Sequence, residues 1–182
     1  MNDFETNPRR QFELCMRPVA DDLYKKVLPE IVSVERFAKE TERHILDRSF
    51  AIDCIFHFKE MVFTCQEKFR THKYVHYKDI TVEYYNDPDA EIKGDWFNMC
   101  AQLYFCGYAN ATNTAFETWV LLDWSRIVLA TVQGFIHWGI KQNPDSKANF
   151  KYAKMMTLPP GCIILASFWD SDGLLHHDLR LL

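Results

Sequence analysis

The most regular alternation in the chain lies between Phe50 and Cys65. Phe50, Ile52, Cys54, Phe56 and Phe58 fall on one parity, and Met61, Phe63 and Cys65 hold one side of a second run. Lys59-Glu60 is the polar break between them, so a period of two predicts two strands and a tight turn. Ile80 to Tyr85 predicts a third strand, rich in β-branched and aromatic residues. Phe116 to Asp123, mostly apolar, predicts a central fourth, and Gly161 to Phe168 predicts one more. Helical spacing predicts α-helix near Phe12 to Tyr24 and, beyond Pro29, from Ile31 to Leu46. In the latter Ser33 stands as N-cap, and Val34, Phe37, Ala38, Thr41 and Ile45 form the apolar stripe. Trp96 to Tyr108 predicts a buried helix with Asp95 as N-cap and Gly107 near its end. Trp124 to Ile140 predicts a last helix, while Asn86 to Asp95 and Asn143-Pro-Asp-Ser mark a loop and a turn.

On this pattern Asp53 is a charged residue in mostly apolar strand surroundings. Across the turn, Gln66 and Lys68 share one face of the second strand and Glu67 points the other way, because strand side chains alternate. Paired as a hairpin, the strands set Asp53 beside Gln66 and Lys68 at one end of a sheet. A carboxylate, an amide and an ammonium converging there are costly in a core, and such groups usually have a job.

Asp53 followed by Gln66-Glu67-Lys68 resembles the PD-(D/E)XK nuclease superfamily, with its Asp, spacer, Glu/Gln-x-Lys signature. The predicted order of helix, three strands, helix and strand matches that family's core. The resemblance implies an α/β fold with a restriction-endonuclease-like core. That core is a central mixed sheet flanked by helices (αβββαβ), over about residues 31–123, with N-terminal and C-terminal additions, the latter 124–182. It implies phosphodiester hydrolysis, most naturally of DNA, assisted by Mg²⁺ or Mn²⁺. Asp53, Gln66 and a helical Glu42 would be the metal-side residues, and Lys68 would serve the water or the phosphate. Glu42 shares a helical face with Glu35 and lies nearer the strand; two solvated surface carboxylates are the plain alternative. Gln102, inside the predicted helix, is similar to the glutamine of the RecB-like branch, with a structural, backbone-bonded glutamine as its competitor. A member of the fold that binds nucleic acid or protein without catalysis is the alternative function.

From Phe69 to Lys78 the chain is basic and aromatic. Arg70, Lys73 and Lys78 alternate with Tyr74 and Tyr77, and no acid occurs before Asp79. Cations neutralise phosphates and aromatic faces stack on unpaired bases, so these residues are candidates for nucleic-acid contact. Ordinary surfaces also carry such runs. His72 and His76 would pair on a helix, but extended structure is expected here, which argues against zinc. Glu83, on the third strand, stands as a further ligand, a partner for the basic run, or a surface acid.

Composition narrows the class. At 182 residues the chain fits one domain, and 48% hydrophobic with 15% aromatic residues is the make-up of a packed core. A net charge of −4 argues against a generally basic coat, while leaving room for a local patch. Six cysteines include no CxxC pair, which together with the absence of a signal peptide predicts a reduced, cytoplasmic setting. No apolar run approaches a membrane span. There is no phosphate loop, nucleophile elbow or zinc motif to support a small-molecule enzyme. Homodimerisation is left open.

Overall fold

The protein is described by a computed structural model covering residues 7–37, 44–144 and 146–167. The first element, α1 (Pro8–Val27), starts where Asn7 accepts the Arg9 N–H (2.9 Å) and Pro8 presets the first turn. Its buried residues Met16, Ala20 and Tyr24 recur every four positions, one stripe facing inward. The following elements are β1 (Ile31–Arg36), α2 (His44–Phe50), β2 (Cys54–Phe58), β3 (Val62–Arg70), β4 (Asp79–Asp87) and β5 (Ile92–Lys93). After them come α3 (Asp95–Asn98), β6 (Leu103–Ala109), β7 (Phe116–Asp123), α4 (Trp124–Val132), β8 (Gly139–Gln142), β9 (Asn149–Lys154) and β10 (Ile163–Ser167).

Among the described residues ten strands make two sheets. The larger is mixed, in the order β1-β2-β3-β6-β7-β10, with β3 and β6 parallel and every other neighbour antiparallel. The smaller, β5-β4-β9-β8, is antiparallel throughout. The α/β class with a mixed central sheet and flanking helices is therefore present. Each face of the large sheet carries its own core. Leu103, Phe105, Cys65 and Phe56 pack with Ala20 and Tyr24 of α1. Tyr104, Cys106 and Tyr108 pack with Ile80, Val82 and Ala153 of the second sheet and Ile127 of α4.

Several elements differ from the periodicity. Residues 31–36 are strand, not helix; Ile31, Val32 and Val34 are β-branched, and pairing with β2 outweighs a helical spacing that six residues cannot distinguish. Phe50 ends α2 and Ala51 is left-handed (φ 48°), so the first hairpin strand begins only at Cys54. The helix expected over 96–108 shrinks to the four residues of α3, and Leu103–Ala109 is a strand buried along its whole length. A strand covered on both faces reads as a continuous apolar run, which periodicity cannot tell from a buried helix. The third predicted strand exists as β4, but in the second sheet. The basic run turns into a 3-10 helix, His72–Tyr77, instead of staying extended. The last helix stops at Val132, where Gln133 and left-handed Gly134 (φ 78°) close it, and Gly139–Gln142 is strand. Residues expected as a C-terminal extension supply β8 and β9 to the smaller sheet and β10 to the larger. All six cysteines are free, and among the described residues no helix is long and apolar enough to cross a membrane.

Candidate functional site

Strand register builds the site. Cys54 stands opposite Cys65 at the end of the β2–β3 ladder, and just before it the Asp53 N–H donates to the Cys65 carbonyl (2.9 Å). Along β3, Cys65, Glu67 and Phe69 face α1, whereas Gln66, Lys68 and Arg70 face the second sheet. The Asp53 carboxylate accepts the main-chain N–H of Glu67 (2.8 Å), which holds it at this entrance to the hairpin.

Gln66 is 8% exposed, and its Nε2 donates to Asp95 Oδ2 at 3.4 Å. Its Oε1 is buried with no hydrogen-bond partner. An amide oxygen left unmatched in a buried place is a deficit that a positive charge or a donor would fill. Next on the same face, the Lys68 ammonium donates to Glu83 Oε1 (2.8 Å), and Arg9 reaches the same oxygen (2.8 Å). Lys68, with Arg9 behind it, holds the Glu83 carboxyl well below the usual carboxylate range.

The other two acids go the opposite way. Burial, and then the charge of Glu67, push the Asp53 carboxyl well above its ordinary value. Burial and the neighbouring Glu83 raise Asp95 to about 6, with Lys68 opposing. Asp47 of α2 adds negative charge to both. Asp95 reaches Gln66 because Gly94 lets the chain press on β4. A Cβ there would lie 2.7 Å from the Glu83 carbonyl carbon and oxygen, and the Gly94 N–H donates to the Tyr84 carbonyl (2.9 Å).

Glu67 belongs to a different assembly. It takes the Tyr24 hydroxyl hydrogen (2.7 Å) and a two-armed contact from Arg36, whose Nη2 lies 3.0 Å away and also binds Asp21 at 2.6 Å. That buried network ties α1, β1 and β3 together and is structural.

The structure thus brings together Asp53, Gln66 and Lys68 and adds Glu83, Asp95 and Arg9. Glu42 lies outside the described residues. Gln102 is not helical; its amide oxygen accepts the Thr64 N–H (3.1 Å) and its own N–H binds Thr64 Oγ1 (3.0 Å), so it clasps β3 to the start of β6. Named in the sequence as a candidate for nucleic-acid contact on a helix, Gln102 instead lies just ahead of β6 and makes the backbone contacts of the structural alternative. Arg70, at the end of β3, donates to Thr81 Oγ1 (2.7 Å) and lies 4.9 Å from the Tyr74 ring, while Lys73, Tyr74, Tyr77 and Lys78 cluster on and beside the 3-10 turn. Asp95 carried no signal beyond a capping position, and Arg9 contacts a residue 74 positions away, which no local pattern reports.

Among the described residues no three His, Cys, Asp or Glu side chains form a metal-holding group. The donor set at the hairpin is mixed instead: one orphaned amide oxygen beside two carboxyls that burial and like charge keep from ionising at their ordinary values. Oxygen donors of this kind suit a hard cation, whose charge would reverse both upward shifts. No family model, curated protein or solved structure matches the chain.

Proposed function

We propose that the Asp53–Gln66–Lys68 face is the site of a metal-assisted phosphodiesterase acting on DNA, built on a restriction-endonuclease-like core. The observation that carries this reading is the buried, unpartnered Gln66 Oε1, next in the chain to the Glu67 N–H that holds the Asp53 carboxylate, with Lys68 two residues on along the same strand face. Topology supports it in part: α1, β1, β2, β3, a crossover and the parallel β6 come in the order of the family core's helix, three strands, helix and strand, with α2 inserted between the first two strands. Here α1 and β1 take the places that periodicity gave to later residues, and the crossover carries the second sheet where the family has a helix.

Asp53, Gln66 and Asp95 would hold Mg²⁺ or Mn²⁺. Such an ion supplies an activated water and a sink for phosphate charge. Asp53 is oriented for this by the Glu67 N–H, and Gln66 is aimed by the hydrogen bond its Nε2 donates to Asp95. Lys68, steadied by Glu83, presents its ammonium where a phosphate oxygen gains charge in the transition state. Arg9, shared with Glu13 (3.2 Å), and Lys68 together keep Glu83 ionised.

Incubation of the purified protein with labelled DNA and Mg²⁺ or Mn²⁺ tests this. Asp53→Asn keeps an acceptor for the Glu67 N–H and should fold, yet reduce cleavage by about 10²-fold or more, as removal of one transition-state interaction typically does. Lys68→Ala should lose a comparable factor. Undiminished cleavage by either variant refutes the assignment. One observation favours a second reading, a nucleic-acid- or protein-binding module without catalysis: Lys68 is already committed to Glu83 at 2.8 Å. That reading expects metal-independent binding and no cleavage by the parent protein.

A further inference from the structure

We infer that the 3-10 turn His72–Tyr77, with Lys141 of β8 and Lys154 of β9, is a binding platform for an unpaired nucleic-acid strand. This rests on the phosphodiesterase reading only for the direction in which the strand leads, and it names the form of the substrate.

Folding enlarges the basic run with residues some 65 to 80 positions further on. Lys141 Nζ lies 5.1 Å and Lys154 Nζ 5.7 Å from the centre of the Tyr77 ring. The Lys154 ammonium donates to the Tyr77 carbonyl (2.7 Å), and the Met155 N–H donates to the Lys78 carbonyl (2.9 Å), so the turn is pinned to the end of β9. Lys78 occupies a left-handed position (φ 45°) and is exposed, as are Lys73, Lys141 and Lys154. Among the described residues, Arg70, Lys78, Lys141 and Lys154 form no ion pair with a carboxylate. The acid next along, Asp79, is turned inward onto the Tyr108 hydroxyl (2.6 Å). Glu117 meets the turn at His72, 3.0 Å away, at its far end from Tyr77. In a protein of net charge −4, so many unneutralised cations in one place form a focused positive patch.

Aromatic rings run through that patch. Tyr74 and Tyr77 lie 6.4 Å apart at 27°, and the exposed His76 ring lies 4.1 Å from Tyr77. Paired bases already stack on each other and show only edges to a protein, whereas unpaired bases offer faces. Lysines beside ring faces therefore fit a single strand better than a duplex. The path also leads to the candidate site. Arg70 lies 4.9 Å from the Tyr74 ring, and Lys68 is two residues, about 7 Å, further back along β3.

The test is fluorescence anisotropy in EDTA, where cleavage is silent, so binding stands or falls independently of the metal site. The probes are a labelled 20-nucleotide oligo(dT) and a 20-base-pair duplex. Oligo(dT) should bind more tightly than the duplex. Lys141→Ala/Lys154→Ala should weaken it by about tenfold or more and lower the salt slope by about 1.4, at roughly 0.7 for each phosphate no longer neutralised. Tyr77→Leu should weaken it by about fivefold or more, the worth of stacking one base. Since Lys154 also braces the turn, Lys141→Glu serves as a second variant, at an exposed side chain with no hydrogen bond to lose, and should weaken binding too. Tighter binding of the duplex overturns the inference. So does binding by Lys141→Glu equal to the parent's, or displacement of oligo(dT) by inorganic polyphosphate at equal charge concentration.

Discussion

Replacing Gln66 by Glu is the most discriminating perturbation of the hairpin. The change is nearly isosteric, but it removes the Nε2–H bond to Asp95 and places a carboxyl beside two others already raised. Without a cation the new group cannot ionise cheaply at 8% exposure, so it will take a proton. Protonation caps the penalty. Holding neutral a carboxyl of ordinary pKa ~4.3 costs about 1.4 kcal/mol per pH unit, hence about 4 kcal/mol at pH 7 and about 1 kcal/mol at pH 5. For a domain of this length about 4 kcal/mol is roughly 10 °C in melting temperature, and about 1 kcal/mol a few degrees. A divalent ion at the site binds the ionised form, and occupancy at 100 times Kd returns about 2.7 kcal/mol. Thermal melts at pH 5 and pH 7, with EDTA or with Mg²⁺ or Mn²⁺, read all four corners. The expected result is a large loss at pH 7 in EDTA, a small one at pH 5, and a metal-dependent gain greater than the parent's. An equal loss in all four corners would refute the metal-site reasoning, leaving Gln66 a structural amide.

Glu67→Gln tests the other face of β3. It removes one charge from the buried pair with Arg36, so the loss should be about 3–5 kcal/mol, measured by urea unfolding, with cleavage per folded molecule retained. Asp95→Asn should flatten the acid limb of the stability profile. The folded pKa of Asp95, about 6, lies above its unfolded value of 3.8, so its stabilising contribution is full below pH 4 and is lost as pH rises through 6. Asp95 should account for up to about 3 kcal/mol of the parent's loss in EDTA over that window, and the variant should lose less by that amount, while Asp53, also raised, still titrates in both. Glu83 works with the opposite sign, its contribution fading as pH falls below its ordinary value of 4.5, so the two are separable on one unfolding series.

The hairpin was legible because its information is local. Asp53, Gln66 and Lys68 share a face by alternation alone, and Glu67 turns away by the same rule. Beyond it, the pattern misled where burial removes contrast: Leu103 to Ala109 is apolar at every position because both sides are covered, and that run carries no period at all. Ile31 to Arg36 failed for a different reason, since Val34 and Phe37 also fit a helix, and only pairing with β2 decides. Glu83 was a candidate with several roles open, while Asp95 and Arg9 could not be placed beforehand. Their convergence depends on a glycine pressed onto β4 and on contacts spanning as many as 74 residues. The basic run was found, but Lys141 and Lys154 join it only through sheet pairing.

The parallel pairing of β3 with β6 also sets an order of assembly. β2 and β3 pair through a tight turn and β1 joins β2 across α2, whereas Cys65 meets Leu103 38 residues on, after the chain has passed through β4, β5 and α3. Closing that long loop costs entropy before any ladder bond repays it, so β6 docks late. Until then β3 is an open edge beside an apolar face, a template for pairing with another chain. Pulse-labelled hydrogen exchange during refolding should show β2 and β3 amides protected before those of β6, and simultaneous protection would contradict this. The same residues that bring Glu83 and Asp95 to the hairpin thus set the interval during which newly made chains are most prone to aggregate.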